Sequence, residues 1–270
     1  MSKKGNDRGV GAGHRTIVLF SVLFGIISLF SVSASAVSGR EVFEKVNEVR
    51  KAGLTRKSDA IMTLFDKTGE RSRTLAGYSK KGEGEAYKGL VFFEAPAELK
   101  GVGFLVAAHS FSDRDMWAYF PEFKRVRKIP TTSQDDSFFG SDFSYDDFGG
   151  PPSLDDYRFD LVREEEIEGQ PCFMIEVVPK VRRGFTKYTA WVGKEWSILL
   201  KIEYYREKEL YKVGTFKDVR IIDQIPTPFF MEMENKKSGH RTDIRLKEIK
   251  YNIDLPDSLF TQKSLERGGE

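Results

Sequence analysis

Apolar and polar residues alternate along most of the chain, and this period of two is the feature that most constrains its fold. Ala60, Met62 and Leu64 fall on one side of an extended segment. The same alternation recurs in three further segments, residues 87–93, 198–204 and 211–221. Such alternation is typical of antiparallel strands with one dry and one wetter face. With turn-forming residues between the segments, the sequence predicts about ten or eleven strands between Leu54 and Tyr251.

The spacing between these segments leaves room for few helices. Ser38-Gly39-Arg40-Glu41 matches a capping box, in which serine and glutamate satisfy free amides of the first helical turn. Val42, Phe43, Val46 and Val49 follow on one face, which predicts a helix that packs onto a sheet. Few other helical patterns occur, so parallel βαβ units are not expected. We predict a mainly β fold, either a strongly curved antiparallel sheet or incomplete barrel, or two packed sheets.

The first 36 residues are typical of an export signal. Basic residues precede an apolar run from Ile17 to Phe30, and Ala34-Ser35-Ala36 supplies the small residues that a signal peptidase recognises. The run is shorter than the roughly 20 apolar residues that span a bilayer, and an uncleaved membrane anchor is the alternative. We predict a signal peptide over residues 1–36, cleavage after Ala36, export to the periplasm, and one domain over residues 37–270.

The slight excess of positive charge belongs to this leader. Residues 1–36 hold four of the 43 basic residues and one of the 41 acidic residues, which leaves 39 basic against 40 acidic residues. A chain this close to neutral is not expected to have a general affinity for nucleic acid. We therefore predict no nucleic-acid partner.

The residues that most often carry catalysis are sparse and scattered. Beyond the leader the chain has two histidines, His109 and His240, and one cysteine, Cys172, which lies in an apolar strand pattern. Nucleophilic catalysis needs a histidine oriented beside its nucleophile, and zinc needs several nitrogen or sulfur ligands. We predict no enzymatic activity, no metal and no cofactor, and we expect Cys172 to be a buried small side chain.

Residues 130–156 interrupt the alternation. Glycines and prolines break the strand pattern, and a connection this long inside one domain is usually functional or contains a short helix. The segment carries five aromatic rings: Phe138, Phe139, Phe143, Tyr145 and Phe148. Core packing explains some of them, but a loop that folds over apolar material would also have this composition. We predict a lid with one or two helical turns over one end of the sheet.

The strand before this segment is apolar on both sides, with Trp117 and Tyr119 on one face and Phe120 on the other. We predict that these rings line an apolar cavity together with Phe104 and the lid rings Phe138, Phe139, Phe143, Tyr145 and Phe148.

Charged residues flank the rings on both sides. The basic residues Lys124, Arg125, Arg127 and Lys128 indicate either a charged sheet edge or a contact with anionic headgroups or an acidic partner. The acidic residues are Asp135, Asp136, Asp142, Asp146 and Asp147. Capping and solvation explain them best. Pairing with the basic run, calcium binding and glycoside hydrolysis are the alternatives.

Three strings of the sequence together resemble the outer-membrane lipoprotein-sorting protein family, whose members are LolA-like. The strings are Met116-Trp117-x-Tyr119-x-Pro121, then Lys124-Arg125-x-Arg127-x-Ile129, then Phe139-Gly140-Ser141-Asp142-Phe143-Ser144-Tyr145-Asp146-Asp147. The tail from Tyr251 to Phe260 is also similar to the end of that family. With the N-terminal helix included, the resemblance covers nearly all of residues 37–270.

The resemblance implies an unclosed antiparallel β-barrel with a helical lid and an apolar cavity that accepts acyl chains. The expected function is a periplasmic carrier that binds acylated lipoproteins or other lipids and transfers them toward the outer membrane without catalysis. The expected partners are that ligand, an inner-membrane transporter and an outer-membrane acceptor, with transient membrane contact. The acylated receptor of this family needs an N-terminal cysteine that the chain lacks, which favours a soluble carrier. The alternative function is an accessory module of a membrane transporter or envelope assembly complex.

Overall fold

A computed structural model of the chain describes residues 37–84, 86–110 and 113–268. The predicted signal peptide, residues 1–36, lies outside the described residues. The first helix, α1, spans Gly39–Lys51. The Glu41 carboxylate accepts a hydrogen bond from the Ser38 amide at 2.6 Å, and the Ser38 hydroxyl accepts one from the Glu41 amide at 3.2 Å. The capping box is thereby confirmed.

Thirteen strands and a short second helix follow α1 in the described part of the chain. They are β1 (Thr55–Asp66), β2 (Gly69–Lys81), β3 (Tyr87–Ala95), β4 (Gly103–Ala108), β5 (Arg114–Phe120), β6 (Arg125–Ile129), β7 (Tyr157–Ile167), β8 (Gln170–Pro179), β9 (Lys187–Gly193), β10 (Leu199–Arg206), β11 (Glu209–Ile222), β12 (Ile225–Asn235), β13 (Arg241–Tyr251) and α2 (Gln262–Glu266).

All thirteen strands belong to one antiparallel sheet. Its order is β6-β5-β4-β3-β2-β1-β13-β12-β11-β10-β9-β8-β7. Because β6 and β7 lie at opposite ends of this order, the sheet is not closed. The mainly β fold with an unclosed antiparallel sheet is confirmed, and the alternative of two packed sheets is wrong.

The structure has more strands than the ten or eleven predicted because some strands show no alternation. β4 reads Gly-Phe-Leu-Val-Ala-Ala, and five of its six residues are buried. β9 is buried at six of its seven positions. A strand that is covered on both faces needs no polar side, so a period of two does not reveal it.

The register defines an inner face that continues across the sheet. One row of paired residues on this face consists of Leu64, Thr242, Met233, Gly214, Ile202 and Ala190. Ile202 packs in the same cluster as Val42, Phe43 and Val46 of α1. The helix therefore lies on the same face as Ala60, Met62 and Leu64 of β1, as its apolar stripe predicts.

The opposite, outer face is covered near β3, β4 and β5 by the C-terminal segment. Leu255, Phe260 and Leu265 are buried there, with Leu265 on α2. They pack against Leu90 of β3 and Leu105 of β4. Among residues 37–84, 86–110 and 113–268, no helix combines the length and apolar character needed to cross a bilayer.

The apolar inner face and its flap

Residues 130–156, here called the flap, cross the inner face and show how strongly the sheet curves. Asp146 forms an ion pair with Arg114 of β5, and the next residue, Asp147, lies 3.9 Å from Lys212 of β11. β5 and β11 are seven places apart in the sheet order. On a flat sheet they would be roughly 34 Å apart. Two adjacent residues reach both strands, so the sheet wraps around the flap.

Phe138 lies at the centre of the flap and is fully buried. Its ring centroid is 4.1 Å from that of Phe148 in the flap, 5.4 Å from Phe104 of β4 and 6.1 Å from Phe93 of β3. Such stacked and edge-on contacts stabilise aromatic pairs beyond the area they bury. The flap therefore presses its rings against the inner face.

The remaining inner-face rings of the predicted set join the same cluster. They are Phe120, Phe139, Phe143 and Tyr145, of which Phe143 is buried and the others are partly buried. The Phe139 ring lies 5.7 Å from that of Phe120, and the Tyr145 ring lies 5.6 Å from that of Phe104. The structure thus brings together seven of the nine predicted rings.

The other two predicted rings, Trp117 and Tyr119, lie on the outer face. Tyr119 is buried and Trp117 is partly buried, both against the C-terminal segment with Phe260 and Leu265. They alternate with Met116, Ala118 and Phe120, whose cluster contains the flap. The strand is apolar on both sides because the flap covers one side and the C-terminal segment covers the other.

The flap is held by a small number of polar contacts. Arg73 of β2 donates a hydrogen bond to the Phe139 carbonyl oxygen at 2.7 Å. Thr242 of β13 donates its hydroxyl hydrogen to the Asp142 carboxylate at 2.7 Å, and its oxygen accepts from the Asp142 amide at 3.0 Å. Lys212 donates to the Asp142 carbonyl oxygen at 3.4 Å. Together with the Arg114–Asp146 ion pair, these contacts join the flap to four strands.

Burial changes the ionisation of the flap carboxyls. It raises the pKa of Asp142 from its ordinary value, although the hydrogen bond from Thr242 opposes the shift. It also raises the pKa of Asp146, which the charges of Arg114 and Arg183 oppose. Removing water from a carboxylate disfavours its charged form. The flap contacts therefore include carboxylates that are costly to bury. The charged form of these carboxylates depends on hydrogen-bond donors and cations that compensate for the lost water.

Four 3-10 turns make up the helical part of the flap: Thr131–Ser133, Phe138–Gly140, Asp146–Phe148 and Leu154–Asp156. Phe139 has a φ of 49°, and Gly140 has a φ of 80°. A phenylalanine with positive φ is an uncommon, strained conformation. This conformation directs two consecutive rings toward the sheet. The ring centroids of Phe138 and Phe139 are 4.8 Å apart, and the ring planes are almost perpendicular.

Around the ring cluster, the inner face has apolar side chains that are only partly buried. They lie on four different strands: Val91, Phe216, Met231 and Leu246. Neither α1 nor the flap covers them completely. The inner face thus continues as an apolar surface that water reaches.

The basic residues lie on or next to the edge strand β6 and are exposed. Lys128 forms an ion pair with Asp115 at 2.6 Å, and the Arg127 guanidinium lies 5.8 Å from the centre of the Phe123 ring. Arg125 and Lys124 are also exposed. Charge on an edge strand discourages pairing with another sheet, so this arrangement fits the interpretation as a protected sheet edge.

The acidic residues of the flap have partners other than the basic run. Asp135 accepts a hydrogen bond from the Gly184 amide at 2.9 Å, and Asp147 accepts one from the Ser144 amide at 2.7 Å. In the described part of the chain, no group of three or more histidine, cysteine, aspartate or glutamate residues could hold a metal ion.

The residues weighed for catalysis lie apart from one another. His109 is exposed after β4, and His240 is exposed in the turn before β13. Cys172 is buried in β8 as expected, and this burial raises the pKa of its thiol. A thiol that stays protonated is a poor nucleophile.

The sequence did not reveal the polar anchors of the flap. Arg73, Arg114 and Lys212 each lie on a strand at a position that faces inward. The alternation over residues 211–221 placed Lys212 on the wetter face, and the structure shows the opposite phase, with Gly214 and Phe216 facing inward beside it. An inward-facing cation needs a partner, and the flap supplies it.

An unclosed antiparallel sheet that wraps around an aromatic flap, with a helix on the same face, defines the LolA-like class of folds. A family model described as an uncharacterized protein matches residues 85–267, and the chain belongs to that family. The solved structures described next support its LolA-like character.

Three solved structures are similar to the chain. A domain from Vibrio parahaemolyticus, described as an outer membrane lipoprotein-sorting protein, is 28% identical with a TM-score of 0.79, over 85% of this chain and 98% of that one. A DUF1329 family protein from Desulfovibrio piger is 29% identical with a TM-score of 0.80, over 84% and 97%. A LolA superfamily protein from Nitrosomonas europaea shares the fold, with 22% identity and a TM-score of 0.67, over 84% and 99%. A search of curated proteins gave no match.

Proposed function

We propose that this protein is a periplasmic carrier that binds the acyl chains of lipoproteins or other lipids on its inner face and transfers them toward the outer membrane without catalysis. One observation carries the proposal: the flap lays phenylalanine rings against an apolar face whose surrounding side chains are only partly buried. The description of the Vibrio parahaemolyticus domain as a lipoprotein-sorting protein supports the same function. The N-terminal segment, with its basic residues and apolar run, supports export.

The energetics favour an acyl ligand. Each methylene group withdrawn from water contributes roughly 0.8 kcal/mol, so about 14 of them contribute about 11 kcal/mol. In the described structure the rings of the flap occupy much of the inner face. An acyl chain therefore binds by taking the place of rings such as Phe138, and only the difference between the two contacts becomes affinity. Because the acyl chain replaces contacts that the flap rings already make, the net binding free energy is smaller than that of transfer alone. The ligand can therefore be released again, as a carrier requires.

The polar anchors favour a flap that can be displaced. Few hydrogen bonds and ion pairs hold residues 130–156 to the sheet, and water can satisfy these groups once the flap leaves. The candidate ligand-binding or lid residues are therefore the seven inner-face rings: Phe104, Phe120, Phe138, Phe139, Phe143, Tyr145 and Phe148. Trp117 and Tyr119 are left out because they lie under the C-terminal segment.

Two measurements test the proposal. Native mass spectrometry and solvent extraction of protein taken from the periplasm should find a bound acyl lipid or lipoprotein. Titration with a fluorescent dansyl undecanoic acid should give saturable binding that myristate reverses. If neither extraction nor titration detects an acyl ligand, the carrier proposal is wrong.

Two neighbouring residues of β13 provide a matched pair of variants. Leu246 faces inward beside Ala60, whereas the exposed Lys247 lies at the adjacent bulge. Leu246→Glu should weaken binding of the dansyl probe at least tenfold, because it places a carboxylate on the apolar face. Lys247→Glu should leave binding unchanged. Equal affinities in both variants would show that the probe binds elsewhere.

A second candidate function, an accessory module of an envelope complex, rests on Phe123. Its side chain is 54% exposed and lies beside the basic edge strand β6. A photo-crosslinking amino acid at position 123 tests this function in cells. Reproducible crosslinks to one envelope protein, in preparations that contain no lipid, would favour docking over transport.

A further inference from the structure

Arg50 lies on the side of α1 that packs against the sheet. Residues four and seven apart share a helix face, and Arg50 follows Val46 by four positions and Phe43 by seven. Both of these are buried against the inner face. Arg50 itself is exposed. The space between the end of α1 and the sheet is therefore open to water.

Groups on opposite parts of the sheet surround this guanidinium. Tyr87 of β3 and Tyr188 of β9, on strands seven places apart, both lie within electrostatic range of it. Because both strands come near one side chain, Arg50 projects into the concavity of the curved sheet. The pKa of Arg50 is lowered, chiefly because surrounding protein displaces water, and the neighbouring charge of Arg56 lowers it further. These are the surroundings of a cation inside a wet concavity.

Arg56 approaches the same concavity from β1. It alternates with Ser58 and Ala60, and Ala60 packs in the inner-face cluster. Neither the Arg50 nor the Arg56 side chain has a hydrogen bond or ion pair with another described residue. Two guanidinium groups in one concavity repel each other and attract an anion.

One nearby carboxylate cannot balance both guanidinium groups. Asp147 acts on Arg50 through its charge, and its carboxylate also lies 3.9 Å from the Lys212 ammonium. The dipole of α1 favours a cation in its last turn, which explains one basic residue there. It does not explain Arg56, which lies on a strand.

An apolar path leads from these arginines to the flap. On the inner face of β1 the order is Arg56, Ser58, Ala60 and Met62. The partly exposed Leu246 pairs with Ala60, and Met62 packs in the cluster that contains Phe138. Six residues of strand span roughly 20 Å. That distance is comparable to the length of an extended acyl chain.

We infer that Arg50 and Arg56 form an anion-binding site for the phosphate headgroup of an acylated amphiphile whose chain lies along the inner face toward the flap. Paired guanidinium forks match phosphate oxygens. This inference rests on the proposed carrier function and specifies the ligand class: a phosphate-bearing lipid. The anion bound at this site could also be free inorganic phosphate. The test distinguishes a lipid phosphate headgroup from the free anion.

The test uses two ligands that share one chain. Myristoyl lysophosphatidic acid and monomyristoylglycerol differ only in the phosphate, and calorimetry measures each below its aggregation concentration. The protein of residues 37–270 should bind the phosphate-bearing ligand at least tenfold more tightly. Arg50→Gln and Arg56→Gln should each reduce this preference about tenfold or abolish it while leaving the affinity for monomyristoylglycerol unchanged.

Lys45→Gln is the matched control, because Lys45 is an exposed cation on the same helix beside buried Val46. It should keep the preference for the phosphate. Inorganic phosphate at millimolar concentration should neither bind measurably nor displace the lipid.

The outcomes are distinguishable. If neither lipid binds, the carrier function fails. If both lipids bind equally, or if the arginine variants keep the preference, the carrier function stands and the anion site is wrong. If inorganic phosphate binds alone and depends on Arg50, the site serves a free anion and the lipid headgroup assignment is wrong. If the variants lose affinity for both lipids while circular dichroism stays unchanged, the arginines do not act through the phosphate.

Discussion

Asp142 shows how one residue links ionisation to the position of the flap. Its carboxylate is partly buried and its pKa is raised by that burial, while the Thr242 hydroxyl donates to it at 2.7 Å. A folded-state pKa above the unfolded value means that the native state holds the proton more tightly. The free energy of unfolding therefore falls as pH rises from about 3.8 through the raised pKa.

Asp142→Asn should be as stable as the original protein at pH 7, or more stable. The amide removes the buried charge and can still accept a hydrogen bond from Thr242. The advantage should shrink at pH 4, where protonation neutralises the aspartate itself. Asp142→Ala loses the hydrogen bond and should be about 1 kcal/mol less stable. Urea unfolding at both pH values measures these differences, and a larger advantage for asparagine at pH 4 would contradict the sign.

Phe138→Ala should lower the free energy of unfolding by about 3–5 kcal/mol, because removing a fully buried ring leaves a cavity. Phe123→Ala is the control, since that ring is 54% exposed, and its change should stay within about 0.5 kcal/mol. Chemical denaturation of both variants makes the comparison. Equal effects would mean that Phe138 is not packed against the sheet in solution.

For single residues, the sequence predicts which rings pack in the flap better than it predicts which side chains they contact. The density of phenylalanine in an irregular segment indicated an apolar flap, and the structure places seven of the nine rings together. Nothing in the local sequence distinguishes the faces of β5, however, because Trp117 and Phe120 are both covered. The C-terminal segment that covers Trp117 follows more than one hundred residues later, so only the folded chain reveals it.

The Arg114–Asp146 ion pair is the most buried of the ion pairs that join the flap to the sheet. The Arg114 side chain is 5% exposed and that of Asp146 is 19% exposed. Breaking one partner of a buried pair leaves the other charged and without compensation, which typically costs about 3–5 kcal/mol. Because the flap is joined to the sheet by few polar groups, that loss should appear as local opening rather than global unfolding.

Arg114→Gln should therefore accelerate amide exchange in the flap and leave the strands largely unaffected. The amides of Phe138 and Asp146, which donate to the Phe143 and Gln134 carbonyl oxygens at 2.8 Å, report the opening. Hydrogen–deuterium exchange with mass spectrometry measures it. Lys128→Gln, which breaks an exposed ion pair, should leave the same peptides unchanged. Equal exchange in both variants would show that Arg114 does not hold the flap.

Element types were more predictable than their details. Helix α1 follows from local signals, because a capping box and an apolar stripe act within a few residues. The flap helices are single 3-10 turns instead of a longer helix. Tertiary contacts decide this, since Phe139 adopts a positive φ that the local sequence does not favour.

The inner face of the sheet carries two hydrophobic clusters that have residues in common. One cluster contains Phe93, Phe104 and Phe138, and the other contains Phe43 and Tyr188. Tyr204 packs against both clusters. The Lys212 ammonium, which contacts the flap, lies 4.8 Å from the centre of the Tyr204 ring. The two clusters should therefore unfold together.

The three tryptophans provide the test. A protein with Trp117 as its only tryptophan reports on β5, and one with only Trp191 reports on β9. Their fluorescence should change at the same urea concentration, as expected for one cooperative transition. Separate midpoints would show that the clusters are independent. Circular dichroism of each variant verifies that the phenylalanine replacements at the other two positions leave the fold intact.

At the scale of the molecule, alternation and short turns predicted antiparallel strands, in either a curved sheet or two packed sheets, and the resemblance to LolA-like proteins implied an unclosed barrel. The sequence could not predict how far the sheet curves, because curvature depends on contacts between strands distant in the chain. The unpaired arginines escaped notice for the same reason. Arg50 and Arg56 each look like an ordinary surface cation until the sheet brings both into one concavity.

The neighbouring aspartates of the flap also have a mechanical consequence. Through Asp146 and Asp147, one short segment is joined to strands that are far apart in the sheet. The flap therefore fixes the width of the concave face as well as filling it. Under the proposed carrier function, an acyl chain that displaces the rings must also break these two contacts. The same movement then opens the concave face and makes room for the peptide of an acylated lipoprotein.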